Sequence, residues 1–153
     1  MNIVATQYDL KTKTFEIYVA GCKGKPHCPG CHNPSTWDFD VGTSCDNNFF
    51  MAITRKLFSF SQIVKNIAIL GGEPNDNNHE ELKDLLERLQ VFDLPIWLYT
   101  RYSFEEIPEF EKELCSYINC GRYEKDLQTE DNIQYGIKLA TSNQKIYKRG
   151  VDY

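Results

Sequence analysis

Alternating apolar and polar residues near the start of the chain predict two strands joined by a turn. Residues 3–8 and 14–19 both read as strands, and the second alternates its side chains as Phe15, Ile17 and Val19 against Glu16 and Tyr18. The polar residues 9–13 between them favour a hairpin. The second strand runs directly into Gly21 and Cys22, so the next loop begins at the carboxyl end of a strand.

Later apolar segments switch between strand and helix patterns. Residues 67–70 form a short apolar run, which is typical of a strand buried on both faces of a parallel sheet. Asn78 predicts a helix N-terminus, and one face of that helix carries Leu82, Leu85, Leu86, Leu89 and Phe92. The remaining patterns predict helices at residues 49–58 and 108–114 and strands at 95–99, 117–119 and 145–147.

This order of elements predicts an α/β fold in a single domain over residues 1–153. There are too few strand–helix units for a closed eight-stranded barrel of about 250 residues, so we expect an open, partial βα barrel. Ligand-binding loops gather at the carboxyl ends of parallel strands. We therefore expect the loops that begin at Gly21, Gly71 and Thr100 to share one edge of the sheet.

Composition and charge narrow the classes of partner. The chain has a formal net charge of -5 and no basic stripe, which argues against binding to nucleic acid. No apolar run approaches the roughly 18–20 residues of a membrane span, and the first residues lack the pattern of a signal peptide. We expect a cytoplasmic protein without a nucleic-acid or membrane partner.

The six cysteines favour a metal site, because clustered thiols in a reducing compartment more often bind metal than form disulfides. A loop rich in glycine and proline places Cys22, Cys28 and Cys31 within ten positions, with the spacing C-x5-C-x2-C. The other three are scattered, and we expect them to be buried thiols: Cys45, Cys115 and Cys120.

Two kinds of site fit this loop. A structural zinc site takes four ligands, and His27, His32 or Cys45 could supply the fourth. A [4Fe-4S] cluster is normally held by thiolates, and three of them leave one iron open to a substrate or cofactor. Residues 71–74, Gly-Gly-Glu-Pro, favour the open cluster, because glycines let a ligand approach the backbone. The carbonyl groups at this strand end, with the Glu73 carboxylate nearby, could receive an ammonium group.

The three-cysteine loop followed by Gly-Gly-Glu-Pro resembles the radical S-adenosylmethionine superfamily. Residues 20–22 and 28–37 resemble the activating components of anaerobic (class III) ribonucleotide reductase, and later segments are similar too, at residues 96–100, 121–127 and 142–144. The first cysteine gap is five residues where three are usual, which a loop absorbs at low entropic cost. Residues 23–27 of this lengthened gap either bulge outward or contact the partner.

The resemblance implies that Cys22, Cys28 and Cys31 bind three irons of a [4Fe-4S] cluster and that S-adenosylmethionine binds the fourth. Gly71, Gly72 and Glu73 would hold the methionyl amino end. Further implied cofactor-binding residues are Gly30, Cys31, His32, Tyr99 and Asn143.

The implied activity is that of an iron–sulfur activase. An electron from a flavodoxin-like donor would cleave S-adenosylmethionine to methionine and a 5′-deoxyadenosyl radical. That radical would generate a glycyl radical on the large catalytic subunit of the reductase. No side chain is implied to be catalytic, because the cluster and S-adenosylmethionine carry the chemistry. Two alternatives stay open: a short radical enzyme similar to 7-carboxy-7-deazaguanine synthase, and a zinc-binding module without catalysis.

Overall fold

The computed structural model describes residues 1–153 and has an α/β architecture built on a seven-stranded sheet. The strands lie in the order β3-β1-β2-β4-β5-β6-β9. Their bounds are β1 Asn2–Asp9, β2 Thr14–Val19, β3 Thr43–Ser44, β4 Asn66–Gly71, β5 Ile96–Tyr99, β6 Tyr117–Cys120 and β9 Lys145–Lys148. A separate two-stranded sheet pairs β7 Ile133–Gln134 with β8 Ile137–Lys138.

The centre of the large sheet is parallel, as the strand–helix order predicts. Strands β2, β4, β5 and β6 pair in parallel, whereas β1, β3 and β9 join antiparallel. The α/β class is thus confirmed. The sheet is open, since β3 and β9 form its two edges.

Three helices connect the parallel strands: α1 Asn47–Ser59, α2 His79–Leu89 and α3 Glu109–Leu114. Asn78 caps α2 as predicted, because its side chain accepts hydrogen bonds from the backbone N–H groups of Glu80 and Glu81. The predicted apolar face is fully buried at Leu82, Leu85, Leu86 and Leu89. The helix ends before Phe92, which lies in a 3₁₀ turn at Gln90–Phe92.

The helices cover one face of the sheet only. Strand side chains such as Ile17, Ile69, Leu98 and Ile118 pack there against α1 and α2 in the main core. On the opposite face a smaller cluster joins Ala68 and Trp97 to Leu139 and Ile146 of the C-terminal segment. The sheet therefore keeps part of this second face open near the carboxyl ends of its parallel strands.

The scattered cysteines are free thiols inside the fold. Cys115 and Cys120 are buried as predicted, and Cys45 is half-buried. Burial raises the pKa of Cys45 to about 11 and that of Cys120 to about 12. These thiols are therefore protonated at neutral pH.

None of the helices combines the length and the apolar character that crossing a membrane requires.

Candidate functional site

The loops after four parallel strands line a single cavity of about 240 Å³. The three loops expected at this edge, after β2, β4 and β5, all contribute to it. The cysteine loop contributes Cys22, Cys28 and Cys31, and the other strand ends contribute Gly71, Gly72, Glu73, Tyr99, Thr100, Arg101, Asn119 and Gly121.

The lengthened cysteine loop folds back onto the protein. The His27 ring stacks on Trp37 with 3.9 Å between ring centroids, and its Nε2 lies 3.2 Å from the Cys22 carbonyl oxygen. Arg122 donates a hydrogen bond to the Pro26 carbonyl. The side chains of Lys23 and Lys25 stay exposed. The two extra residues are therefore accommodated by an anchored loop that presents two lysines to solvent.

Gly72 allows the loop after β4 to pack directly against the cysteine loop. A Cβ atom at Gly72 would lie 2.3 Å from the Gly21 carbonyl oxygen, well inside contact distance. The Glu73 N–H donates to that same oxygen over 2.7 Å. Because the two backbones touch, Gly-Gly-Glu and the first cysteine lie side by side although they are far apart in the chain.

The Glu73 side chain is 2% exposed and ties the ends of β4 and β5 together. Its Oε1 accepts hydrogen bonds from the Asn75 N–H at 3.1 Å and the Thr100 hydroxyl at 2.7 Å. Its Oε2 accepts from the Arg101 N–H at 2.7 Å. Burial raises the pKa of Glu73 to about 7, against the opposing effect of these hydrogen bonds.

Asp76 is a second buried carboxylate that connects three loops. Its oxygens accept from Arg101 Nη2 at 3.0 and 3.1 Å and from the Tyr102 hydroxyl at 2.8 Å. Asp76 Oδ2 also accepts from the Lys23 N–H at 2.6 Å, directly beside Cys22. The loop after β5 thus positions the start of the cysteine loop through Asp76.

Glu111 of α3 is a third buried carboxylate in the same network. Asn75 Nδ2 donates to its Oε2 over 3.1 Å, while Oε1 has no partner. Burial raises the pKa of Glu111 to about 7, and the charge of Glu73 adds to the shift. The Glu111 carboxyl therefore holds its proton more tightly in the folded protein than in the unfolded chain. The contribution of Glu111 to the free energy of unfolding falls as pH rises from about 4.5 to about 7.

We expect Glu111→Gln to be more stable than the wild type at pH 8 and similar at pH 4.5. The amide removes a buried charge, so the gain at pH 8 should reach about 2 to 3 kcal/mol. Urea unfolding of the cluster-free protein at both pH values measures it. Glu109→Gln, an exposed position on the same helix, is the matched control. Identical differences between variant and wild type at the two pH values would contradict the expectation.

Not every residue proposed from the sequence lies at the cavity. Gly30 and His32 are exposed and do not line it. The Asn143 side-chain amide donates hydrogen bonds to the Arg122 carbonyl at 2.8 Å and to Glu124 Oε1 at 3.2 Å. It therefore links the C-terminal segment to the loop after β6.

Sequence reasoning missed other residues of the wall, namely Asn33, Leu70, Asn119, Tyr123 and Gln144. The one available signal was Asn119, a polar residue within an otherwise apolar strand.

The three cysteines line one cavity, an arrangement that is compatible with a multi-iron cluster. The structure contains no group of three or more His, Cys, Asp or Glu side chains that could hold one metal ion. A zinc site needs four ligands about 2.0–2.3 Å from one point. The ligands of a [4Fe-4S] cluster bind different irons and need not converge in this way. The three thiols instead share the wall of an open cavity, as an open cluster requires.

Comparison with known proteins gives consistent matches over most of the chain. A family model described as a 4Fe-4S single cluster domain matches residues 12–147. The anaerobic ribonucleoside-triphosphate reductase-activating protein of Enterobacteria phage T4 is 32% identical over 122 residues, which is 74% of this chain and 73% of the relative. The protein of the same name from Escherichia coli (strain K12) is 27% identical over 138 residues, 86% of this chain and 85% of the relative. That from Haemophilus influenzae is 26% identical over 106 residues, 67% of each.

Proposed function

The chain belongs to the 4Fe-4S single cluster domain family and to the family of anaerobic ribonucleoside-triphosphate reductase-activating proteins, and from this premise we propose that it is the iron–sulfur activase of such a reductase. One observation carries the proposal. Cys22, Cys28 and Cys31 line the same cavity as the loop of residues 71–73. That cavity also reaches Tyr99 and Asn119 on the next two strands.

In this function Cys22, Cys28 and Cys31 would hold a [4Fe-4S] cluster and leave one iron without a protein ligand. With S-adenosylmethionine bound, that cluster would supply the reductive radical chemistry needed to generate a glycyl radical on the large catalytic subunit of the reductase. A flavodoxin-like protein would be the electron donor.

The residues of this chain position the two cofactors. The loop of residues 71–73 packs on the cysteine loop and offers its backbone at the methionyl end of the cavity. Glu73 and Asp76 hold the loop ends by buried hydrogen bonds, so the cavity walls are fixed before the cofactor arrives. Leu70 and Tyr99 add apolar surface to the cavity wall, which reduces the access of water to a reactive radical.

Anaerobic reconstitution with iron and sulfide tests the proposal. We expect a brown protein with about four irons per chain. With reductant it should cleave S-adenosylmethionine and produce the electron paramagnetic resonance signal of a glycyl radical on added large subunit. The Cys28→Ala variant is the matched control and should give neither result.

Two outcomes would favour the alternatives. Cleavage of S-adenosylmethionine without a radical on a competent reductase would indicate an enzyme acting on a small molecule. A colourless protein with one bound zinc would indicate a binding module.

A further inference from the structure

Glu111 and Asn75 form a buried pair in which each side chain has one unused oxygen. Asn75 Nδ2 donates to Glu111 Oε2 over 3.1 Å, which joins the loop after β4 to α3. The other oxygens of the pair, Glu111 Oε1 and Asn75 Oδ1, are buried and have no hydrogen-bond partner in the protein. An ionised carboxyl leaves both of them as acceptors without a donor, which is costly inside a protein.

A proton on Glu111 would satisfy both unused oxygens at once. A neutral carboxyl carries one O–H donor, and the amide oxygen of Asn75 belongs to the side chain that already contacts it. A carboxylic acid and a primary amide can join through two hydrogen bonds, one from the amide N–H and one from the acid O–H. The first bond is present, and the second would use the two oxygens that have no other partner.

The surroundings of Glu111 favour its neutral form. The residue is 0% exposed, and burial raises its pKa to about 7. The ionisable groups that act on it or feel its charge are Glu73 in the loop after β4, Lys112 and Cys115 on α3, and Cys120 on β6. The neighbouring helix α2 brings the exposed His79, which lies beside Phe110. Lys112 favours ionisation of Glu111, but its ammonium lies 3.7 Å from the exposed Glu109 carboxylate.

Glu73 is the other carboxyl bonded to Asn75, and it differs from Glu111 in the donors that it meets. Glu73 accepts from two backbone N–H groups and from the Thr100 hydroxyl, and these hydrogen bonds stabilise its ionised form. Glu111 accepts only from the Asn75 side chain. Because the charge of Glu73 disfavours a second charge on Glu111, the proton is retained by Glu111.

We propose that Glu111, in its protonated form, donates a hydrogen bond to Asn75 Oδ1 and that this acid–amide pair positions the loop of residues 71–75. Neither residue lines the cavity, so the effect passes through the Asn75 N–H, which donates to Glu73 Oε1 at the cavity wall. Glu111 is thus a positioning residue.

The acid–amide pair makes the loop sensitive to pH. Above about pH 7 an ionised Glu111 cannot donate to Asn75 and it repels Glu73, so the loop is held less firmly. Binding at the methionyl end of the cavity should therefore weaken as pH rises. This effect on the cofactor rests on the proposed function, whereas the acid–amide pair itself does not.

Infrared spectroscopy of the cluster-loaded protein locates the proton. The wild type should show the C=O stretching band of a buried protonated carboxyl at pH 6, and this band should decline by pH 8 and be absent from Glu111→Gln. Asn75→Ala should keep the band at a higher frequency, because the carboxyl loses both hydrogen bonds to the amide. A wild type without a band that depends on Glu111, or an unshifted band in Asn75→Ala, would overturn the acid–amide pair.

Binding of S-adenosyl-L-homocysteine, which lacks the sulfonium of the cofactor, tests the positioning role. Anaerobic titration calorimetry without reductant should show about fivefold weaker binding to the wild type at pH 8 than at pH 6. Glu111→Gln keeps an uncharged donor and acceptor at this position and should bind the probe almost equally at both pH values. Glu109→Gln, an exposed position on α3, is the matched control and should keep the pH dependence of the wild type.

The outcomes separate this inference from the proposed function. A pH dependence that persists unchanged in Glu111→Gln would overturn the positioning role alone, as would binding to the wild type that is independent of pH. A wild type that forms its cluster but binds no S-adenosyl-L-homocysteine at either pH would overturn the proposed function. The infrared band would still decide whether the acid–amide pair exists.

Discussion

Replacing Cys22, Cys28 or Cys31 by alanine should abolish the iron–sulfur absorbance of the anaerobically reconstituted protein. Bound iron should fall from about four atoms per chain to near zero. The reason is that thiolates are the normal ligands of such a cluster and these three are the cysteines that line the cavity. Iron analysis and a visible spectrum after anaerobic purification measure the effect.

The scattered cysteines provide controls of the same chemistry. Cys45→Ala and Cys115→Ala should keep the absorbance, because neither thiol lines the cavity. Burial raises the pKa of both thiols, and Cys115 is fully enclosed in the main core. Loss of the cluster in Cys45→Ala would show that the ligand set is wrong.

Glu73→Ala should produce the largest loss of stability among the cavity residues. It removes the acceptor of two backbone N–H groups, of Asn75 and Arg101, and of the Thr100 hydroxyl. Leaving such donors unsatisfied should lower the free energy of unfolding by about 2 to 4 kcal/mol. The same change should weaken binding of S-adenosyl-L-homocysteine, because the loops after β4 and β5 lose the hydrogen bonds that connect them through Glu73. Urea unfolding at pH 7 and calorimetric titration measure the two effects.

Two further variants separate the role of Glu73 from a general effect of losing a carboxylate. Glu73→Gln keeps one acceptor oxygen, but its amide NH₂ group replaces the other oxygen and faces hydrogen-bond donors of the protein. The loss of stability in Glu73→Gln should therefore be smaller than the loss in Glu73→Ala. Glu106→Ala removes an exposed glutamate that accepts hydrogen bonds from Ser103, and it should change stability far less. Equal losses for Glu73→Ala and Glu106→Ala would contradict the structural role of Glu73.

The pattern of residues along the chain already contains the fold class and places three cysteines in one loop. Strand and helix periods are local properties, and a strand–helix–strand order favours parallel pairing. Parallel strands point their carboxyl ends the same way, so the loops at Cys22, Gly71 and Thr100 had to share an edge. The cysteine spacing is local as well, which is why the three thiols could be proposed together as cluster ligands.

Only the tertiary structure decides how the polar side chains of these loops are used. The Glu73 carboxylate accepts hydrogen bonds from Thr100 and Arg101, which lie 27 and 28 positions later, and the sequence pattern did not indicate these partners. Asn143 and Asn119 are both amides near a strand end, but the first braces the C-terminal segment while the second lines the cavity. Hydrogen bonds between distant segments depend on how several strands and loops pack together, and the residue pattern of one segment does not determine that packing.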